Sequence, residues 1–153
     1  TFIIPEAKIQ DNSNYVTGTD GQKMSKSKNN IIDIFLDDKS LKKQIMKIKT
    51  KSLSVDEQKD PDDCNIFKLY KIIAEEENIK NLASRYRKGG IGYGESKEIL
   101  YNEILNKFAK NREKFFKLMD DKEIVEKLLV DGATKARVQA QKVLKRVRAS
   151  VGY

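Results

Sequence analysis

Apolar residues along most of this chain recur at intervals of three and four, the spacing that lines one face of an α-helix. In "DDKSLKKQIMKI", Leu41, Ile45 and Ile48 fall at i, i+4 and i+7, and Asp37 or Asp38 is available as the N-cap. The polar connection "KTKSLSVDEQKDPDDC" follows, and its Asp60-Pro61 step disfavours helix before the next segment. Ile66, Leu69, Tyr70 and Ile73 then line a second helix, and Ile79, Leu82, Ala83 and Tyr86 a third, closed by Gly89 and Gly90. Beyond the glycine turn "GIGYG", the stretch from Ser96 to Met119 predicts a long amphipathic helix carrying Ile99, Leu100, Ile104, Leu105, Phe108, Phe115 and Phe116. Asp120 or Asp121 caps a shorter helix through Val130, and Asp131 caps a last one bearing Ala133, Ala136, Ala140, Val143, Leu144 and Val147. The expectation is a mainly α protein, a bundle of about six helices. Tyr70, Tyr86 and Tyr101 fall within these stripes and read most simply as core, with base stacking as the alternative.

The first 35 residues break this pattern. "TFIIP" is a short β-branched run stopped by Pro5, the form of a strand remnant leaving a sheet. "QDNSNYVTGTDGQ" reads as a loop with a turn at Asp20-Gly21, and "KMSKSKNN" continues it. Two regions follow from the change in character, 1–35 and a helical 36–153. The chain opens on Thr1 with neither a signal peptide nor a basic targeting helix, and reads as the middle of a longer protein. No window approaches the length of apolar sequence that a membrane span needs.

Composition narrows the chemistry. With 31 lysines and arginines against 23 acids, the formal charge of +8 favours a polyanionic partner such as RNA or a nucleotide. The single cysteine, Cys64, excludes an internal disulfide, suits a reducing cytoplasm, and reads as a small residue at a helix start. Histidine is absent, so no Ser-His or Cys-His dyad can form from these residues and any chemistry must run on charge and positioning. Lys23, Lys26 and Lys28 stand among Ser25, Ser27, Asn29 and Asn30 with almost no apolar anchor, a loop mobile by composition. Ammonium groups on such a loop suit a polyphosphate whose charge shifts during reaction; a solvated basic loop is the bland alternative. Near the C-terminus Lys135, Arg137, Lys142, Lys145, Arg146 and Arg148 follow Asp131 with no intervening acid. That run fits contact with phosphates, or equally a solvated surface complementing a helix dipole.

"KMSKS" at Lys23-Met24-Ser25-Lys26-Ser27 is identical to the signature loop of class I aminoacyl-tRNA synthetases. In order along the chain, "IPEAKI", "GTDGQKMSKS", "DPDDCNIFKLY", "GIGYGESKE" and "LVDGATKAR" resemble the bacterial tryptophanyl-tRNA synthetase family over practically the whole length. The resemblance implies a C-terminal fragment of a tryptophan-tRNA ligase. Residues 1–35 would be the edge of a Rossmann-type nucleotide-binding domain, and 36–153 a helical anticodon-binding domain. It implies ATP on Val16, Lys23, Met24, Ser25, Lys26 and Ser27, with Lys23 and Lys26 catalytic, and magnesium accompanying the ATP with no metal ligand in this chain. L-tryptophan and tRNA(Trp) are the implied partners, Lys135, Arg137, Lys142, Lys145 and Arg146 the implied tRNA contacts, a homodimer through the absent N-terminal domain the implied assembly, and the cytoplasm the implied location. The family's HIGH-type motif needs a histidine that this sequence lacks, so the isolated chain is expected to be inactive. Two other readings fit the same residues: a freestanding helical RNA-binding module, and a class I synthetase of another specificity.

Overall fold

The computed structural model describes residues 3–8 and 15–152. Among them are five α-helices: α1 (Asp38–Met46), α2 (Asn65–Ile73), α3 (Glu76–Lys88), α4 (Tyr93–Asp120) and α5 (Lys122–Val151). The chain is mainly helical, as the periodicity predicts. It divides into two compact units, Ile9–Arg112 and Thr1–Lys8 with Glu113–Tyr153.

Local chemistry sets several helix ends. The Asp37 carboxylate accepts the Ser40 N–H at 3.0 Å and starts α1, and the Asp121 carboxylate accepts the Ile124 N–H at 3.2 Å and starts α5. Gly89, at φ 79°, ends α3. In the unit Ile9–Arg112 the apolar stripes meet in one core: Leu41 and Ile45 of α1, Ile66, Phe67, Leu69 and Tyr70 of α2, Leu82 and Tyr86 of α3, and Leu100 and Ile104 of α4. Tyr86 is fully buried, its ring 5.8 Å from that of Phe67, and burial pushes its hydroxyl pKa up. Cys64 sits at the N-cap of α2, buried, with Sγ 3.5 Å from the Tyr86 hydroxyl.

Two buried cations tie loops to this core. Arg112, buried on α4, donates to the Ile34 carbonyl and, at 2.6 Å, to Asp38 Oδ1 at the start of α1. Lys59 is 3% exposed, and its ammonium donates to the carbonyls of Ser54, Val55 and Glu57 at 2.7, 3.2 and 2.9 Å while lying 5.5 Å from the centre of the Tyr93 ring. One side chain thus serves three carbonyls of an irregular segment, of which that of Val55 also accepts the Gly90 N–H at 2.9 Å.

In the other unit α5 carries half-buried Val125, Val143 and Val147 with its remaining side chains exposed, and the Phe115 and Phe116 rings of α4 meet edge to face at 5.6 Å.

Three sequence expectations are corrected. The helix through Val130 and the one after it are a single element, so five helices replace six. Asp131 and Gly132 lie inside α5, where Thr134 Oγ1 donates back to the Val130 carbonyl at 2.9 Å. A glycine costs a helix interior only about 1 kcal/mol, and the alanines, lysines and glutamines beyond it are strong helix formers, so a cap-like aspartate does not interrupt the run. Helix α4 begins at Tyr93, taking Tyr93 and Gly94 out of the glycine turn, and Ser96 bonds through both N–H and Oγ to the Gly92 carbonyl. Finally, residues 3–8 form no strand; Thr1 and Phe2 of that expectation, and the loop residues 10–14, lie outside the described residues. A strand exists by pairing, and among the described residues the one bridge joins Thr17 to Lys23.

Lys59→Met keeps the apolar stem and removes the three donors. It should lower the stability of the chain by about 1.5–3 kcal/mol, read as a shift in the urea midpoint at unchanged slope.

Candidate functional site

The lysine loop is built on a narrow turn. Thr17 and Lys23 form an antiparallel bridge, Met24 N–H donates to the Val16 carbonyl at 2.8 Å, and Gly18 N–H to the Gln22 carbonyl at 2.7 Å. Between them Asp20-Gly21 makes the predicted turn, with Gly21 at φ 86° and the Asp20 carboxylate accepting the Gln22 N–H at 2.9 Å. Lys26–Lys28 then form one 3-10 turn, ended by Asn29 in the left-handed region at φ 51°. Asparagine tolerates that conformation better than most residues.

Val16 and Met24, paired through the backbone, are partly buried against the helical core. The Lys23 and Lys26 side chains and Ser27 are exposed, and the Ser25 and Ser27 hydroxyls lie 2.8 Å apart. Lys28 donates to Gln22 Oε1 at 2.8 Å. None of the three lysines makes an ion pair among the described residues. The six residues assigned to ATP therefore lie together, from Val16 across the bridge to Ser27, with the two candidate catalytic ammonium groups uncompensated by a carboxylate.

Composition suggests a loop without anchors, yet this one is tied down by polar groups. Asn30, 2% exposed, donates through Nδ2 to Asp20 Oδ1 at 2.7 Å and to the Lys23 carbonyl at 3.1 Å, and accepts the Ser25 N–H at 2.8 Å. Its own carbonyl accepts the Thr19 N–H at 2.9 Å, and the Thr19 carbonyl accepts the Lys49 N–H at 2.8 Å beyond α1. The Asn30 bond, then the Gln22 N–H, hold the Asp20 carboxyl below its ordinary value of 3.8. The stabilisation linked to that shift is complete above the ordinary value and is lost as pH falls through the lowered one. Asn30 and Asp20 were missed as site residues in the sequence, where an asparagine in a polar loop has no distinguishing spacing.

The basic residues of α5 are all exposed. At 100° per residue Lys135, Lys142 and Arg146, spaced i, i+7 and i+11, share one face, Lys145 flanks it, and Arg137 lies with Arg148 towards the opposite side. The structure thus brings three of the five proposed tRNA contacts onto one stripe. Among the described residues no helix is long and apolar enough to cross a membrane.

Comparison with known proteins bears on both features. The family model of "tRNA synthetases class I (W and Y)" matches residues 1–110. A tryptophan-tRNA ligase of Campylobacter jejuni is 44% identical over 152 residues, 99% of this chain and 47% of the relative. One from Rhodopirellula baltica is 41% identical over 99% of this chain and 48% of its own length. The chain thus spans about half the length of these relatives. The crystal structure of a tryptophanyl-tRNA synthetase from Campylobacter jejuni, complexed with ADP and tryptophan, is similar at a TM-score of 0.85 and 42% identity, covering 97% of this chain and 47% of that one.

The turn geometry is testable through Gly21, whose positive φ disfavours a side chain and whose added Cβ would lie 2.8 Å from Asn65 Nδ2. Gly21→Ala should destabilise by about 1–2 kcal/mol. Gly94→Ala, in the first turn of α4 with nothing within 4 Å of the new Cβ, should be neutral or slightly stabilising. Thermal unfolding of the two variants checks the contrast.

Proposed function

The chain belongs to the class I tRNA synthetases (W and Y), and from that premise we propose that it is the C-terminal part of a tryptophan-tRNA ligase. The observation that carries this reading is the Lys23–Ser27 loop, with two exposed ammonium groups held on a turn against the helical core. The whole enzyme would join L-tryptophan to ATP and then esterify tRNA(Trp). In the first step a tryptophan carboxylate oxygen attacks the α-phosphorus, the bond to the bridging oxygen breaks, and tryptophanyl-adenylate and pyrophosphate form. Charge accumulates on the departing pyrophosphate. Lys23 and Lys26 would meet it there and bind the transition state more tightly than ground-state ATP. Val16 would border the adenine, while Met24, Ser25 and Ser27 complete the nucleotide contacts. Tryptophan specificity is supported by the names and high identity of the relatives, and the bound ADP and tryptophan of the Campylobacter structure support the substrate pair.

Residues 1–35 are proposed as the edge of the nucleotide-binding domain and 36–153 as the anticodon-binding region. Magnesium would arrive on the phosphates of ATP. Homodimerisation would use the half of the enzyme outside this chain, in the cytoplasm.

In the full-length enzyme Lys26→Ala should slow adenylate formation about 10²- to 10³-fold, roughly 3–4 kcal/mol, with tryptophan affinity unchanged. Lys28→Ala should cost much less, because Lys28 is already engaged with Gln22. Equal, small effects in pyrophosphate exchange would reduce the loop to a diffuse basic patch.

Contact of α5 with tRNA is proposed through Lys135, Arg137, Lys142, Lys145 and Arg146. A single backbone can follow only one face of a helix, so Lys135, Lys142 and Arg146 should carry the larger share. Neutralising those three together should weaken tRNA binding and flatten its salt dependence by about one in slope for each phosphate left without a cation, whereas neutralising Arg137 alone should change it little. Filter binding across a salt series reads both.

A further inference from the structure

The Asn30 side chain joins both limbs of the lysine loop. Its two amide protons go to Asp20 Oδ1 and the Lys23 carbonyl, and its oxygen takes the Ser25 N–H, so donor and acceptor capacity are used on three different residues. The carbonyl it engages precedes Met24 and the N–H it engages follows Met24. The peptide groups on either side of Met24, the second residue of the signature, are therefore clamped on one planar carboxamide. Packing specifies the same group: a Cβ on Gly18 would stand 2.5 Å from Asn30 Cγ and Nδ2 and 2.7 Å from its carbonyl oxygen. Gln is a methylene too long for that space, Asp would lose both donors and face Asp20, and Ala would leave the Ser25 N–H and the Lys23 carbonyl without their partner.

We propose that Asn30 is a positioning residue of the signature loop, fixing through the Lys23 carbonyl and the Ser25 N–H where Lys23 and Lys26 present their charge. Asn30 touches no reacting atom; it acts through those lysines. This inference rests on the adenylate-forming reading above, and its consequence is specific. An ammonium group stabilises a developing charge only where the backbone puts it, and a displacement of about 1 Å in such a group can cost up to 10²-fold in rate. The loss should fall on the chemical step, because tryptophan meets other parts of the enzyme.

The test uses the full-length enzyme with Asn30→Ala, Gly18→Ala, Lys26→Ala and the pairwise combinations. Asn30→Ala is expected to lower the single-turnover rate of adenylate formation about 10- to 100-fold with tryptophan affinity unchanged. In the Lys26→Ala background the same substitution should cost less than in the unaltered enzyme, since one of the two groups it positions is gone; that non-additivity is what a general loss of stability would not produce. Gly18→Ala, which displaces Asn30 by contact, should reproduce the loss and add nothing to Asn30→Ala, and it carries the test should Asn30→Ala fail to fold. An unchanged rate in both variants, or losses that simply multiply with that of Lys26→Ala, would overturn the proposal. Should the unaltered enzyme show no tryptophan-dependent exchange, the functional reading fails separately. The positioning claim is then decided by hydrogen exchange at the Ser25 amide, slow in the unaltered protein and fast in Asn30→Ala if it holds, equal in both if it does not.

Discussion

A buried carboxamide without partners is costly, so a chain that buries one must build its backbone around it. Asn30 imposes that constraint on residues 18–25: two donors and an acceptor point in fixed directions, and the surrounding groups satisfy them. The same bonds that make Asn30 tolerable in the interior make the loop a defined shape. A hydrophobic anchor would have held the segment with less directional control, because apolar contact has no preferred angle. Polar anchoring suits the proposed task of the loop, which is to place charges.

The loop is useful only because it is joined to something that does not move with it. Val16 and Met24 pack against the core formed by α1 to α4, and the Thr19 carbonyl takes the Lys49 N–H from the segment beyond α1. Lys59 and Arg112 serve the neighbouring irregular segments in a similar way, each burying a cation against backbone carbonyls. Long side chains thus reach from helices and loops to satisfy main-chain groups that no helix or sheet provides for.

Much of this was legible from the sequence, and the reasons are physical. Helical periodicity is a repeated signal, and Leu41, Ile45, Ile66, Leu69, Leu82 and Leu100 all reach the core that their spacing predicted. The caps were readable to within one residue, as Asp37 or Asp38 and as Asp120 or Asp121, because each pair stands just before a run that needs an acceptor for its first N–H groups; the structure selects Asp37 and Asp121. Asp131 looked the same and is not a cap: its helix was already under way from Lys122, and continuing costs less than nucleating anew. The signature loop was legible as residues but not as geometry. Asn30 lies outside the pentapeptide, and its partners, Asp20, Lys23 and Ser25, are defined by the fold of the turn rather than by a repeat.

The arrangement also explains why an acid can sit beside the signature without defeating it. Asp20 lies close in sequence to Lys23, and a direct ion pair would oblige the lysine to exchange one anion for another before meeting a phosphate. Instead the Asp20 carboxylate is engaged by neutral donors, the Asn30 amide and the Gln22 N–H, while Lys28 is taken up by the neutral Gln22 amide oxygen. Among the described residues Lys23 and Lys26 make no ion pair, and their exposed charge is screened by solvent. A polyphosphate brought to the two groups, as proposed, would break no ion pair recorded among the described residues. Asn30 therefore makes two kinds of contact from one side chain: it ties the Lys23 and Ser25 backbone together, and it gives the Asp20 carboxylate a neutral donor.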